Sequence, residues 1–423
     1  MGKERIVLTY VLLGNGFDLH HGLPTGYQDV IDIYKHWIKN KELVFDSVGD
    51  LLHHYCCEHQ HSKISKFYNN HQKALSSVPI DYSVANDLLK ALEDNCWFWL
   101  FSNDSIISNY NTKSNWFDFE SMIEHSLSVL KDIMKSNSFL AMGPREVCPN
   151  VSIHEFAEVF TNVVSCSDYL GTYQYFFKKT YKPAFFSDWM IDTTAVYDSL
   201  YDHLMVLKKA LVYYLSCFIH PVLSPKMKSK ALAMLDRSCQ VVNLNYTHTW
   251  EKLYQSEEYP SHISHYHGDV NNNIVLGIGS TQEDEWHGNI SPSTDTIKFK
   301  KHYQRIQYNS DSELLKWQEE NRYYEQKYKH NPYAQVPQEH SLIIIGHSLD
   351  MTDEDIIRRL FSICKKQIII YYHNDEAKSN YIINLLRMFG KTEFESMRNN
   401  GILKFVQLAD YEPVERNSDE NQL

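Results

Sequence analysis

Apolar positions along this chain fall into two patterns. Ile6, Val7, Leu8, Val11, Leu12 and Leu13 form a short, largely β-branched run with little polar interruption, which suits a strand buried on both faces. After Thr25 the apolar positions move to Tyr27, Val30, Ile31, Tyr34 and Ile38, the spacing of one helix face. The text from Val30 to Leu235 keeps that helical period, as in LLKALEDNCWFWLF, WFDFESMIEHSLSVLKDIM and SLYDHLMVLKKALVYYLSCFI. Pro144, Pro149, Pro183, Pro221 and Pro225 punctuate it as helix ends would. Strand patterns return at 240–246 (QVVNLNY), 262–268 (HISHYHG), 273–279 (NIVLGIG), 341–348 (SLIIIGHS), 366–373 (KQIIIYYH) and 402–408 (ILKFVQL). The runs LIII and IIIYY lack alternation, as strands of a helix-covered parallel sheet do.

These elements predict an α/β fold, a Rossmann-like parallel sheet with a large helical insertion after its first strand-helix unit. The expected division is 1–30 for the first strand, glycine loop and start of the first helix, and 31–235 for the insertion. The rest of the core spans 236–412, with a polar helical excursion at 281–340, and 413–423 is a polar tail. In such sheets the ligand crevice lies beyond the carboxyl ends of the strands. Polar or glycine clusters stand there: Gly14-Asn15-Gly16-Phe17-Asp18, Asn245-Tyr246-Thr247, His267-Gly268 and Gly346-His347-Ser348-Leu349-Asp350. Gly14 and Gly16 allow a tight turn and close approach to a ligand, while the helix beyond offers amides to an anion. The dinucleotide fingerprint has a third glycine where this chain has Leu19, so a plain tight turn is the competing explanation.

Composition removes other classes. A formal net charge of −12 and a pI near 6.0 argue against direct nucleic-acid binding. A mean hydropathy of −0.44, with no apolar run of spanning length, argues against membrane insertion. No secretory leader pattern opens the chain, so a cytoplasmic location is expected. The 8 cysteines are scattered without C-x-x-C pairs, and among the 22 histidines the run His53, His54, His59, His61 and His71 lacks ligand periodicity. No metal is expected.

The blocks GNGFDLHHGLPTGY, WFDFE (116–120), NLNYTHTWEKLY, HYHGDV, IVLGIG, IIIGHSLDMTDEDI and IIIYYHND together resemble the AbiH-type bacteriophage abortive-infection family. Their order is also similar to a sirtuin-like NAD-binding core. Its G-A-G-x-S loop and G-I-P match Gly14 to Asp18 and Gly22-Leu23-Pro24, its N-Y-D matches Asn245 to Thr247, and its catalytic H-G matches His267-Gly268. Asp18 replaces the serine of that pattern, Thr247 replaces its aspartate, and the zinc cysteines of true sirtuins are missing, which disfavours deacylation. The resemblance implies an antiphage effector that takes NAD as substrate and hydrolyses it to nicotinamide and ADP-ribose. The expected catalytic residues are His267 and Asn245; those expected to hold the nucleotide are Gly14, Asn15, Gly16, Phe17, Asp18, Pro24, Thr25, Gly268, Gly346, Ser348 and Asp350.

The chemistry accounts for these residue types. Cleaving the nicotinamide–ribose bond passes through an oxocarbenium-like state with a cationic leaving group, so positioning and one activated water dominate. His267 suits a base for that water, Asn245 suits orienting the water or the carboxamide, and the amides of Gly14 to Phe17 suit the diphosphate. Asp18 is expected on ribose hydroxyls or as a helix cap. The bland alternatives are a strand-end role for His267 and a helix-surface pair for Asp118 and Glu120, for which the AbiH resemblance implies instead a role in lining the site.

Two other classes compete. GHSLD imitates a nucleophile elbow, with Ser348 as nucleophile, an acid from Asp350, Asp353 or Asp355, and His373 as the histidine that follows. A non-catalytic nucleotide sensor would use the same loop for binding alone. Beyond the nucleotide, the expected partners are a phage or host trigger protein and further copies of the chain, since an unrestrained NADase would kill its own host.

Overall fold

The computed structural model describes residues 8–102, 119–124, 126–127, 186–187, 190–191, 193–235, 237–258, 260–279, 294–329 and 340–413. Its strands are β1 (Thr9–Leu13), a two-residue antiparallel ribbon of β2 (Phe186–Ser187) and β3 (Met190–Ile191), then β4 (Gln240–Asn243), β5 (His262–His265), β6 (Ser341–Ile345), β7 (Gln367–Tyr372) and β8 (Leu403–Gln407). Six of them form one all-parallel sheet in the order β5-β4-β1-β6-β7-β8. The winding therefore runs outward from β1 through β4 to β5, then restarts on the other side of β1 with β6. At the centre Val11 sits opposite Val241 and Ile343.

Strand alternation divides the core into two layers. Val11, Leu13, Val241, Ile343 and Ile345 point to one face. There they meet α2 (Tyr27–Lys39), α3 (Val48–Glu58), α4 (Lys63–Leu75), α5 (Tyr82–Glu93), α6 (Cys96–Phe101) and α7 (Thr193–Tyr214), all in one continuous apolar cluster. Tyr10, Leu12, Val242, Leu342, Ile344, Ile368 and Ile370 point to the other face. After α8 (Thr249–Leu253) and α9 (Lys301–Tyr308), that face is covered by α10 (Ser312–Lys329), α11 (Glu354–Ile363) and α12 (Asp375–Asn399). Burial of each Val, Leu or Ile on either face contributes about 1.5–3 kcal/mol, which is why β1 reads as apolar without alternation. Helix starts follow local chemistry: Ser47, Asp81, Asn95 and Asn374 each accept a hydrogen bond from a first-turn amide.

The expected strand at 273–279 does not join the sheet. Its backbone bonds go elsewhere: Val275 N donates to the His267 carbonyl at 2.7 Å, Leu276 N to Gln304 Oε1 at 3.1 Å, and Ile278 N to the Phe299 carbonyl at 2.8 Å. Val275 and Leu276 are fully buried, so the run is apolar because it threads through the core, not because it belongs to a ladder. Among the described residues no helix is long and apolar enough to cross a membrane.

Candidate functional site

The glycines after β1 and β6 meet where the winding restarts. Gly14 N donates to the Ile345 carbonyl at 3.1 Å, Gly16 N to the Gly346 carbonyl at 2.8 Å, and Phe17 N back to the Gly14 carbonyl at 2.8 Å. Gly346 has φ +67°, and a Cβ there would stand 2.0 Å from Phe17 N. A Cβ on Gly14 or Gly16 would likewise fall within 2.7 Å of backbone atoms of residues 346 and 347. These glycines let two strand ends touch. The amides of Gly14, Gly16 and Phe17 are consumed by that contact, so the expected diphosphate cradle from Gly14 to Phe17 is not formed by them. The helix they open, α1 (Asn15–His20), runs for six residues.

Beyond this junction lies a cavity of about 870 Å³. Of the residues expected to act, Gly14, Asn15, Asp18, Thr25, Asn245, His267, Gly346, Ser348 and Asp350 line it. The structure does not bring Gly16, Phe17, Pro24 or Gly268 to its wall. Phe17 packs edge-on against His21 in the core, and the Pro24 carbonyl accepts the Tyr214 hydroxyl at 2.8 Å. Gly268 turns the chain at φ +73°, where a Cβ would collide with the Asn273 carbonyl. Asp118 lies outside the described residues. Glu120 is buried and lines the cavity, so it is not a helix-surface residue.

The wall is cross-linked by short polar contacts. Thr25 Oγ1 donates to Asn15 Oδ1 at 2.6 Å, and Asn245 Nδ2 donates to the Gly14 carbonyl at 3.1 Å. Asp18 lies inside α1 and caps nothing; its Oδ2 accepts the Thr247 hydroxyl at 2.6 Å, and its Oδ1 is buried without a hydrogen-bond partner. Burial pushes the Asp18 carboxyl up to about 6, against the opposing hydrogen bond from Thr247. Asp350 accepts the Thr352 amide at 3.0 Å, capping the turn that leads into α11.

A buried charge network, unforeseen in the sequence, joins this wall. Lys301 Nζ lies 2.6 Å from Glu120 Oε2 and 3.0 Å from Asp353 Oδ1. Burial opposes each charge, but the pairing wins. Lys301 and His267 hold the Asp353 carboxyl well below the ordinary range, and Asp353 with Glu120 holds the Lys301 ammonium above it. His347 Nδ1 accepts the Leu349 amide at 3.0 Å, so its proton sits on Nε2, 3.3 Å from Asp353 Oδ2. His267 Nε2 is 3.2 Å from Asp353 Oδ1 but out of line for a hydrogen bond, and this buried nitrogen has no hydrogen-bond partner. Burial lowers the His267 pKa to about 4, so its imidazole is neutral at pH 7. Ser348 Oγ makes no hydrogen bond to a histidine among the described residues, and His373 is exposed at the end of β7.

Among the described residues of the wall, carboxylates outnumber cations: Asp18, Asp29, Asp32, Glu120, Asp350 and Asp353 against Lys63 and Lys301. Such a site stabilises a developing positive charge. Compared with known proteins, residues 10–373 match the family model described as bacteriophage abortive infection AbiH. No curated protein matches the chain. No solved structure matches it either.

Proposed function

We propose, from the premise that the chain belongs to the bacteriophage abortive infection AbiH family, that it aborts infection by hydrolysing NAD at the N-glycosidic bond in this cavity. The observation that carries the proposal is the buried Asp18 Oδ1, without a hydrogen bond, on the same wall as the buried His267, whose Nε2 faces Asp353 Oδ1 at 3.2 Å without a well-formed hydrogen bond. Unmade hydrogen bonds of that kind cost about 1–3 kcal/mol each, and perturbed titratable groups in a cleft mark functional sites. The strand order is further support. Numbered along the chain, the sheet strands run 3-2-1-4-5-6, the order of Rossmann-like folds, whose ligands sit where the winding reverses. Support also comes from the two departures from the sirtuin-like pattern, Asp18 and Thr247, which are bonded to each other. The hydroxyl and the carboxylate have exchanged places across one contact.

In the proposed reaction the C1′–N bond breaks, its electron pair leaves with nicotinamide, and water adds to C1′. The leaving group is cationic before cleavage and neutral after it, so it needs no proton. His267, unprotonated at pH 7, takes the proton of the water, and Asp353 beside it stabilises the imidazolium that forms. Asp18 supplies negative charge toward the oxocarbenium-like centre. Asn245, fixed on the Gly14 carbonyl, orients the ribose or the carboxamide with its remaining polar atom.

A sensor that binds NAD in the same cavity without cleaving it is the second reading; the engaged glycine-loop amides count equally against both at that loop. Incubating purified protein with NAD separates the two. Release of nicotinamide and ADP-ribose, abolished by His267→Ala with nucleotide binding retained, supports hydrolysis. Binding without NAD loss either in vitro or in infected cells supports the sensor, and no binding together with no NAD loss in either setting overturns both readings.

A further inference from the structure

We infer that His248, His265 and Asp269 form a binding site for a first-row transition-metal dication, separate from the cavity and independent of the NAD reading. One ligand atom from each residue lies within 4.8 Å of the other two. Metal bonds of about 2.0–2.2 Å set tetrahedral ligands roughly 3.4 Å apart, so the set closes on an ion with shifts of about an ångström. Two segments supply it: in one, His265 ends β5 and Asp269 follows the Gly268 turn, and in the other His248 precedes α8. None of the three lines the cavity.

The surroundings are those of a prepared site. Asp269 is buried and fixed by the Asn271 amide at 2.7 Å and by Asn272 Nδ2 at 2.9 Å. His265 Nε2 is bonded to Glu251 Oε1 at 2.6 Å, the carboxylate–imidazole pairing that orients a metal-bound histidine. That leaves His265 Nδ1 buried without a partner, and Glu251 Oε2 is buried without one as well. Two orphaned atoms at one cluster are what a cation and its coordinated water would satisfy. The His248 and His265 rings stand edge to face at 5.1 Å, and His248 Nε2 is 3.7 Å from Asp269 Oδ2. A second cluster, His36, His54 and Glu58, is already committed, because His36 Nε2 bonds His54 Nδ1 at 2.9 Å and Lys39 holds Glu58.

Two imidazoles and one carboxylate select zinc, iron(II), cobalt or nickel over magnesium and calcium, which take oxygen ligands. The ion would clamp the segment 265–269, and with it the turn that carries His267. To test this, tag-free full-length protein is analysed for bound metal, then stripped and titrated with Zn2+ against a chromophoric chelator and with Co2+ by visible absorption. About one equivalent of metal, and a zinc affinity reduced at least tenfold by His248→Ala and by Asp269→Asn but not by His54→Ala, is the expected result. The Co2+ band of the unmutated protein serves as the readout if a variant fails to fold. No band, zinc binding weaker than about 0.1 mM, or binding unchanged in both variants overturns the assignment.

Discussion

The glycine junction after β1 and the charge network around Asp353 border the same cavity and are built by opposite means. At the junction, three glycines from two segments bring backbones into contact, and the amides of Gly14, Gly16 and Phe17 are spent on carbonyls. In the network, Glu120, Lys301 and the His347–Asp353 segment come from three stretches far apart in the chain, and side-chain ion pairs join them. The difference shows that the glycine motif shapes the site, whereas its electrostatics come from charged residues of three separate stretches, of which Lys301 lies in no motif.

Gly346→Ala tests the junction hardest. The positive φ and the clash with Phe17 N together should cost roughly 4 kcal/mol or more, read as loss of soluble protein or of the urea transition. Gly22 is the control: it also has a positive φ, +74°, but nothing lies within 4 Å, so Gly22→Ala should cost only about 1–2 kcal/mol. Equal effects would mean that the backbone contact is unimportant. Lys301→Met should destabilise by roughly 3–5 kcal/mol in chemical denaturation, because Asp353 and Glu120 are left buried and uncompensated. A neutral effect would remove the network as a structural element.

Asp18 gives a graded test. Its folded pKa, about 6, lies above the ordinary carboxyl value of 3.8, so the folded state holds the proton more tightly. The resulting stabilisation is complete below pH 4 and lost as pH rises through 6, a fall of roughly 3 kcal/mol at about 1.4 kcal/mol per unit. Asp18→Asn should flatten stability across that window and unfold later than the unmutated protein above pH 7. An unchanged slope would place the titration elsewhere.

The sheet was legible because buried parallel strands write themselves as apolar runs: the runs at β1, β4, β6 and β7 could hardly be otherwise. The cavity was legible wherever a residue stands in the loop or first helical turn after a strand, as Asp18, Asn245, His267 and Ser348 do. Lys301 was not, since it stands in the run KFKKHYQR, and adjacent lysines read as a solvated face until tertiary contacts bury them, as they do both Lys300 and Lys301. Asp353 drew notice only as an acid for an unformed serine triad, although its neighbour His347 in GHSLD carried a usable hint. The run at 273–279 misled because burial, which makes a strand apolar, makes a buried loop apolar too. His248, His265 and Asp269 share no spacing in the sequence, and only the fold brings them together.

The central claim is tested most directly by the NAD content of infected cells, which also captures an enzyme held inactive until infection. In cells expressing the unmutated protein, NAD should collapse after phage entry while nicotinamide and ADP-ribose rise, and His267→Ala, expressed at the same level, should keep NAD intact and lose protection. Infection aborted with NAD unchanged would contradict the account.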